Sequence, residues 1–247
     1  LLNKSWKTLE KIAKFAKKIC VSFADSLAFF PASKTILTGN PVREELFRQA
    51  RTPPFSLPSA PLIYITGGSG GSHTINMIIE SILPKLLTKY AVIHQTGNVR
   101  EYNDFDRLQK IRATLPKEQQ VGYIVRKFLT VNELAWVYAH VSLLVGRCGA
   151  NTVYEILTFG IPSLLVPLPW AAGGEQEENG NLVEKVGLGV VLVQETLTPA
   201  TLLSTITRMT GEHEKYLKAK DKGQGIVTRD AGKRVMSVLE GIKTHEG

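Results

Sequence analysis

A regular alternation of short apolar runs and amphipathic stretches occupies residues 62–210. The apolar runs are typical of strands buried on both faces, and the stretches between them have helical periodicity. Strands that alternate with helices build parallel βαβ units, so the sequence predicts an α/β fold with a doubly wound parallel sheet. The predicted elements are strands 62–66, 91–95, 121–125, 142–146, 162–166 and 189–193, and helices 73–88, 101–114, 131–139, 151–159, 175–186 and 198–210.

A tight glycine turn runs from Arg147 into the predicted helix that carries Glu155. Open α/β sheets bind ligands at the carboxyl ends of their strands, and the first-turn amides of the following helix favour an anion. Glu155 lies about one helical turn further in, where a carboxylate can accept hydrogen bonds from two sugar hydroxyls. The alternative is a surface glutamate that only stabilises a helix N-terminus.

A second glycine loop, residues 67–72, follows the predicted strand 62–66. Glycines allow the backbone to approach a ligand closely, and the helix behind them offers amides to a phosphate. The loop lacks the Lys-Ser/Thr pair of a Walker motif, and its spacing differs from the dinucleotide fingerprint. A simple tight turn is the alternative. Two such loops in one sheet, one of them followed by an acid, indicate a bound nucleotide sugar.

A third loop, residues 167–174, precedes a helix that begins with Gln176 and Asn179 on one face. Their amides can hydrogen-bond sugar hydroxyls, although ordinary helix capping is an equally good interpretation. Trp170 can stack on a ring, but covering the core is the commoner role for such a residue.

The net charge of the chain limits the classes of partner that it is expected to bind. The chain has 247 residues and a formal net charge of +8, which suits nucleic acid, an anionic membrane or a phosphorylated ligand. Nucleic acid is not expected, because the sequence has no recognisable nucleic-acid motif. The only cysteines, Cys20 and Cys148, fit a reducing compartment without disulfides or zinc. A lysine stripe on a predicted helix over residues 3–19 indicates either a solvated face or a surface for anionic lipid; it comprises Lys4, Lys7, Lys11, Lys14 and Lys18.

Two short strands, 19–23 and 35–38, are predicted before a turn at residues 39–43 and a short helix. The proline-rich stretch 51–61 is typical of an interdomain linker. Helical stretches near 213–221 and 228–242 end the chain.

Four ordered motifs carry a family resemblance. They are Thr38 to Arg43, Gly67 to Ser69, Arg147 to Glu155 followed by Gly160-Ile161-Pro162, and Gln176 to Asn179. Together they resemble the MurG family, the UDP-N-acetylglucosamine transferases that act on a lipid-linked muramyl-pentapeptide in bacterial peptidoglycan synthesis. The resemblance extends over nearly the whole chain, from about residue 3 to residue 242.

The resemblance implies a glycosyltransferase of two Rossmann-like domains, the GT-B type, of which this chain holds mostly the C-terminal, donor-binding half. Residues 1–50 would be the tail of the acceptor domain, 51–61 the linker, 62–225 the UDP-sugar domain, and 226–247 a helix that returns to the acceptor domain. The catalytic base is expected in the remainder of the N-terminal half, so we expect the chain alone to be inactive.

The resemblance also implies a set of substrate-binding residues. Arg43 would lie at the nucleotide, Ser69 at the diphosphate, and the backbone of Leu129 at the uracil edge. Glu155 would bind the ribose and Gln176 the sugar hydroxyls, with Asn179 as a supporting contact. The diphosphate-binding helix start would comprise Ala150, Asn151, Thr152, Val153 and Tyr154.

By the same resemblance, the reaction would be an inverting transfer of N-acetylglucosamine to the muramyl 4-hydroxyl of an undecaprenyl-diphosphate-linked acceptor, at the cytoplasmic face of the cell membrane. It implies no required cofactor and no protein-bound metal, and it does not determine whether a divalent cation takes part. Gly70-Gly71-Ser72, Cys148 and Trp170 depart from the family pattern, which puts sugar selectivity in question. The alternatives are a transferase with another lipid or natural-product acceptor, an epimerase, a non-catalytic UDP-sugar-binding subunit, or an inactive fragment.

Overall fold

The computed structural model describes residues 11–48, 53–98, 101–171 and 174–243. Strands β1 (Ile19–Val21) and β2 (Thr35–Leu37) form a two-stranded parallel sheet. A second sheet has six parallel strands in the order β5-β4-β3-β6-β7-β8. Its strands are β3 (Leu62–Thr66), β4 (Ala91–Gln95), β5 (Tyr123–Arg126), β6 (Leu143–Gly146), β7 (Ser163–Leu165) and β8 (Gly189–Val191).

Helices connect and cover these strands. They are α1 (His73–Leu86), α2 (Asp104–Thr114), α3 (Lys117–Val121), α4 (Val131–His140), α5 (Ala150–Phe159), α6 (Glu175–Val186), α7 (Pro199–Gly211), α8 (His213–Leu217), α9 (Lys220–Gly225) and α10 (Ala231–Lys243). Short 3-10 turns lie at Ala24–Phe29, Glu44–Phe47 and Gln194–Thr196. Within the described residues, no helix combines the length and the apolar run that crossing a bilayer requires.

The six-stranded sheet is buried on both faces. Along β3, Leu62 and Tyr64 pack in one apolar cluster with residues of α4, α5 and α6, whereas Ile63 and Ile65 pack in another with residues of α1 and α7. Successive side chains of a strand point to opposite faces, so each strand contributes to both clusters. The predicted doubly wound parallel sheet is therefore confirmed.

The strand order reverses direction between β3 and β6. From β3 the chain winds outward through β4 and β5, and it then returns to β6 on the other side. Connections on the two sides of such a switch point diverge, which leaves a crevice at the carboxyl ends of the strands. The loops after β3 and β6 meet there, because Thr66 and Gly146 are register partners at the ends of these strands.

The predicted strand 121–125 begins two residues too early. Pro116 starts the short helix α3, and its carbonyl accepts hydrogen bonds from the amides of Gln119 and Gln120. The strand therefore begins only at Tyr123. The helix predicted at 101–114 begins only at Asp104, because Asn103 is in the left-handed region with φ 46°.

The predicted N-terminal helix is wrong in its extent. Helical backbone is present at residues 11–15, and the chain enters β1 at Ile19; the first ten residues, with Lys4 and Lys7, lie outside the described residues. Ala13 is buried, but Ile12 and Phe15 are 58% and 88% exposed, so the predicted apolar face is only partly covered. The predicted domain boundaries, including the linker at 51–61, stay a prediction.

Candidate functional site

A cleft of about 660 Å³ opens at the switch point of the sheet. Its walls come from residues 40–43, the glycine loop after β3, the loop after β5, the β6–α5 turn and the start of α6. The size is in the range of small-molecule sites. Eight of the predicted site residues line it: Arg43, Ser69, Leu129, Ala150, Asn151, Thr152, Glu155 and Gln176.

Glu155 is half-buried in the cleft wall, one turn into α5. The hydroxyl of Tyr138 donates a hydrogen bond of 2.6 Å to its Oε2. Burial raises the pKa of Glu155 above its usual value, while the Tyr138 hydrogen bond and the positive charge of Arg43 act in the opposite direction. An ionised carboxylate has about four acceptor positions, so Glu155 keeps capacity for hydroxyl donors from a ligand.

The N-terminus of α5 faces the cleft through Ala150, Asn151 and Thr152. The first amides of a helix have no carbonyl partner within it, and here the amide of Val153 is the first that bonds back, to the carbonyl of Gly149. The three preceding amides are thus oriented to bind an anion. Asn151 is also tied to the opposite wall, because Nδ2 of Asn40 donates to its Oδ1 at 2.8 Å.

Val153 and Tyr154 lie away from the cleft. Both side chains are buried in the core, and the Tyr154 hydroxyl accepts from the amide of Thr228 at 2.7 Å and donates to its carbonyl at 3.1 Å. These side chains therefore anchor α5 and the chain before α10, and neither contacts the space in which a ligand would lie.

The glycine loop after β3 presents backbone to the cleft. Gly67, Gly68 and the exposed Ser69 line the wall, and Oγ1 of Thr66 accepts the amide of Gly68 at 3.1 Å. Ser72 then caps α1, since its hydroxyl accepts from the amide of Ile75. The loop is held at both ends, and its tip is open to a ligand.

Leu129 is placed at the cleft as predicted, but its amide already has a partner. It donates at 3.0 Å to Oε1 of Gln95, whose Nε2 donates to Oγ1 of Thr66 at 3.3 Å. A ligand that accepts from the Leu129 amide must therefore replace the Gln95 carboxamide. Gln95 itself lines the cleft and was not among the predicted site residues.

The side chains of Gln176 and Asn179 hydrogen-bond the backbone of the glycine turn after β6. Neither side chain caps helix α6. Oε1 of Gln176 accepts from the amides of Cys148 at 3.3 Å and Leu168 at 3.1 Å, which leaves Nε2 as a donor. Nδ2 of Asn179 donates to the carbonyl of Cys148 at 3.0 Å, and Asn179 does not line the described wall of the cleft. The expectation that Trp170 covers the core is wrong, because Trp170 is 72% exposed.

Arg147 is a further functional candidate that the sequence interpretation missed. It lines the cleft yet is only 7% exposed. Its guanidinium donates to Ser72 Oγ, Gln194 Oε1 and the carbonyls of Val166 and Pro167, at 2.6–3.1 Å. These acceptors are neutral, and burial lowers the pKa of Arg147 from its usual value, but an arginine stays charged. The signal was present in the sequence as a lone cation between a buried strand and a glycine turn.

The loop after β4 packs directly on the glycine loop after β3 at Gly97. Gly97 has φ +73°, and a Cβ there would collide with the backbone of Gly71. Gly97→Ala is expected to lower the free energy of unfolding by about 2–4 kcal/mol, through left-handed strain and overpacking. Urea unfolding measures this change. Gly211→Ala, where a Cβ meets open space, is the control; equal stability of both variants would contradict the prediction.

Comparison with known proteins identifies the family of this chain. Residues 62–235 match the profile of the glycosyltransferase family 28 C-terminal domain. Two curated relatives, from Clostridium novyi and Bacillus thuringiensis, are named as UDP-N-acetylglucosamine--N-acetylmuramyl-(pentapeptide) pyrophosphoryl-undecaprenol N-acetylglucosamine transferases. The Clostridium novyi relative is 31% identical, and the match covers 94% of this chain and 62% of the relative. The Bacillus thuringiensis relative is 35% identical, and the match covers 87% of this chain and 59% of the relative.

Among solved structures, a MurG from Acinetobacter baumannii superimposes with a TM-score of 0.66 at 23% identity, covering 94% of this chain and 63% of that one. At that identity the likeness shows the fold, which is the GT-B type. The chain spans about 62% of the length of its Clostridium novyi relative. With more than half of its residues matching the profile, the chain belongs to glycosyltransferase family 28 and contains that family's C-terminal domain.

Proposed function

We propose that the chain supplies the donor site of an inverting N-acetylglucosaminyltransferase. The enzyme would move N-acetylglucosamine from UDP-N-acetylglucosamine to the muramyl 4-hydroxyl of an undecaprenyl-diphosphate-linked muramyl-pentapeptide. The observation that carries the proposal is the arrangement in one cleft of a carboxylate, a helix N-terminus and a buried guanidinium bonded to neutral acceptors, contributed by Glu155, α5 and Arg147. The names of the curated relatives support the same reaction.

The cleft offers candidate partners for the ribose, the diphosphate and the uracil of the donor. The ribose hydroxyls would donate to Glu155, and the diphosphate would accept from the amides at the start of α5 and from Ser69. Arg43, which is exposed and lines the cleft, would add a positive charge at the nucleotide. The uracil edge would lie against the backbone of Leu129, after exchange of its bond to Gln95.

In the reaction, the acceptor hydroxyl attacks the anomeric carbon as the bond to the UDP oxygen breaks. Its proton passes to a general base that we expect in the acceptor half of the full enzyme, and no residue of this chain is assigned to that role. Charge develops on the departing diphosphate. The α5 amides and Arg147 are fixed in place before the reaction, so they can stabilise that charge without reorganisation.

The acceptor lipid would place the full enzyme peripherally at the cytoplasmic face of the membrane. Lys11, Lys14 and Lys18 are exposed on the described part of the N-terminal stripe, which suits contact with anionic headgroups. That the transfer requires no cofactor stays a prediction, and activity measured with and without EDTA tests whether a divalent cation contributes.

Gln176→Ala tests the sugar assignment. Because Oε1 is held by two backbone amides, only Nε2 can reach a sugar hydroxyl. We expect the variant to bind UDP-N-acetylglucosamine about tenfold more weakly, the value of about one hydrogen bond with its partner left unpaired, and to bind UDP nearly as well as the wild type. Titration calorimetry with both ligands measures the difference. Gln119→Ala, outside the cleft, is the control, and equal losses for the two ligands would contradict the sugar-reading role.

Calorimetry with UDP-N-acetylglucosamine, UDP-glucose and UDP separates the main function from its rivals. A preference for UDP-N-acetylglucosamine supports the proposed donor, whereas UDP binding without sugar preference favours a different UDP-sugar enzyme. The subunit alternative is tested by transfer assays in which the acceptor half is supplied as a separate polypeptide.

A further inference from the structure

We propose that Tyr138 is a positioning residue that sets Glu155 for recognition of the ribose. The inference rests on the proposed function and deepens it, because it assigns the ribose selectivity of the site to a hydrogen bond between two helices. Tyr138 belongs to α4 and Glu155 to α5, and the two side chains meet at the cleft wall.

The ring of Tyr138 is fixed by its surroundings. It is buried, and it packs edge-on against Tyr64, with ring centroids 6.3 Å apart, and at a tilt against Phe159, with centroids 5.3 Å apart. Helix α4 begins with a capping box formed by Thr130 and Glu133, which fixes the register of the helix. A ring held in this way directs its hydroxyl to one place, and a buried tyrosine hydroxyl requires a partner there.

The partner is Oε2 of Glu155, at 2.6 Å. A bond of that length to a carboxylate is charge-assisted, and such bonds are roughly twice as strong as those between neutral groups. Glu155 has several side-chain torsions, so without Tyr138 its carboxylate would occupy several rotamers. Holding Oε2 leaves the second oxygen in a defined position, and a defined acceptor discriminates between ligands with and without a hydroxyl at that point.

Tyr138 also favours the ionised form of Glu155. Among the residues that the structure describes, three charged or titratable groups face this carboxylate: Tyr138 from α4, Tyr64 from β3 and Arg43 from the segment after β2. Burial raises the pKa of Glu155, and the Tyr138 hydrogen bond and Arg43 lower it. Loss of the Tyr138 hydroxyl therefore raises the pKa of Glu155 further, and the carboxyl becomes protonated at a higher pH. A protonated carboxyl loses acceptor capacity for the ribose hydroxyls.

The test compares UDP with 2′-deoxy-UDP on the wild-type chain and on Tyr138→Phe, by calorimetry at several pH values. The wild type is expected to prefer UDP by about tenfold, as for one hydrogen bond to a charged group. In Tyr138→Phe the ratio of the two affinities should fall at least about threefold, and the acidic loss of UDP binding should begin at higher pH. The phenylalanine keeps the buried ring, and circular dichroism and thermal unfolding verify the fold.

Tyr90→Phe is the matched control, because Tyr90 is buried and its hydroxyl bonds Thr210 outside the cleft. It should change neither the affinity ratio nor the pH profile. A Tyr138→Phe variant that binds both ligands more weakly by the same factor, with an unmoved pH profile, would overturn the positioning role while leaving the donor site intact. A wild-type chain that binds neither ligand would overturn the proposed function, and the role of Tyr138 with it.

Discussion

Replacing Glu155 with alanine is expected to weaken binding of UDP, UDP-N-acetylglucosamine and uridine alike, by about 100-fold each. The estimate corresponds to about 3 kcal/mol, for one or two hydrogen bonds from ribose hydroxyls to an ionised carboxylate. The three ligands share the ribose, so the loss should not depend on the phosphates or on the sugar. Titration calorimetry at neutral pH measures all three affinities.

Removing the charge of Glu155 should weaken ligand binding but should not lower the stability of the fold. Burial raises the folded-state pKa of Glu155 above its usual value, so the folded chain holds the proton more tightly than the unfolded chain. At pH values above the folded-state pKa the ionised carboxylate therefore costs folding stability, and the cost disappears as the pH falls below the unfolded-state pKa. Glu155→Gln removes that cost and can still accept from Tyr138. We expect it to unfold at the same or a higher temperature at neutral pH, while it binds UDP more weakly.

Glu118→Ala, an exposed acid on α3 outside the cleft, is the control for both measurements. Unchanged UDP affinity in Glu155→Ala would remove the ribose assignment. A large loss of stability in Glu155→Gln would instead show that the carboxylate stabilises the fold.

The sequence predicted the sheet well because its signals there are local and redundant. In β3 each residue is buried, and in β6 the run ends at a glycine turn, so apolar content, length and boundary agree. The regular alternation of strands and helices then predicts a parallel, doubly wound sheet, but it does not predict the order of the strands. The boundary errors arose where one residue determines the backbone, as at Pro116 and Asn103.

The cleft was predictable in its backbone elements and less so in its side chains. Glycine turns and the position of Glu155 depend on a few adjacent residues, and the structure brings them together at the switch point. The contacts of Tyr138, Gln95 and Arg147 join segments that are distant in sequence: Tyr138 to Glu155, Gln95 to Leu129, and Arg147 to Gln194. Local periodicity carries no information about such pairs. Val153 and Tyr154 illustrate the reverse, since a helix start places only some of its side chains toward a ligand.

Replacing Arg147 with methionine is expected to weaken UDP binding by about 100-fold and to leave uridine binding nearly unchanged. A buried guanidinium near a phosphate contributes about 3 kcal/mol at the effective dielectric constant of such sites, and uridine lacks the phosphates. Arg147→Lys keeps the charge but not the forked donor geometry, so an intermediate loss of about tenfold is expected. Calorimetry with the two ligands gives the comparison directly.

Arg147→Met should change the free energy of unfolding much less than it changes the free energy of UDP binding. Methionine leaves Ser72, Gln194 and two carbonyls without their donor, which costs stability. It also removes a charge whose burial is unfavourable, as the lowered pKa of Arg147 indicates, and the two effects oppose each other. Arg112→Met is the matched control, since Arg112 donates to the carbonyls of Gln120 and Tyr123 outside the cleft.

The roles of Arg147 and Glu155 in ligand binding can therefore be distinguished in one experiment. Loss at Glu155 should affect every ligand that contains ribose, and loss at Arg147 only those that contain phosphate. Equal weakening of uridine and UDP in Arg147→Met would assign Arg147 to the architecture of the cleft instead, as the donor that joins the β3 loop to the end of β7. Selective weakening of UDP would mean that the fold tolerates a buried cation bonded to neutral acceptors because the ligand brings the opposite charge.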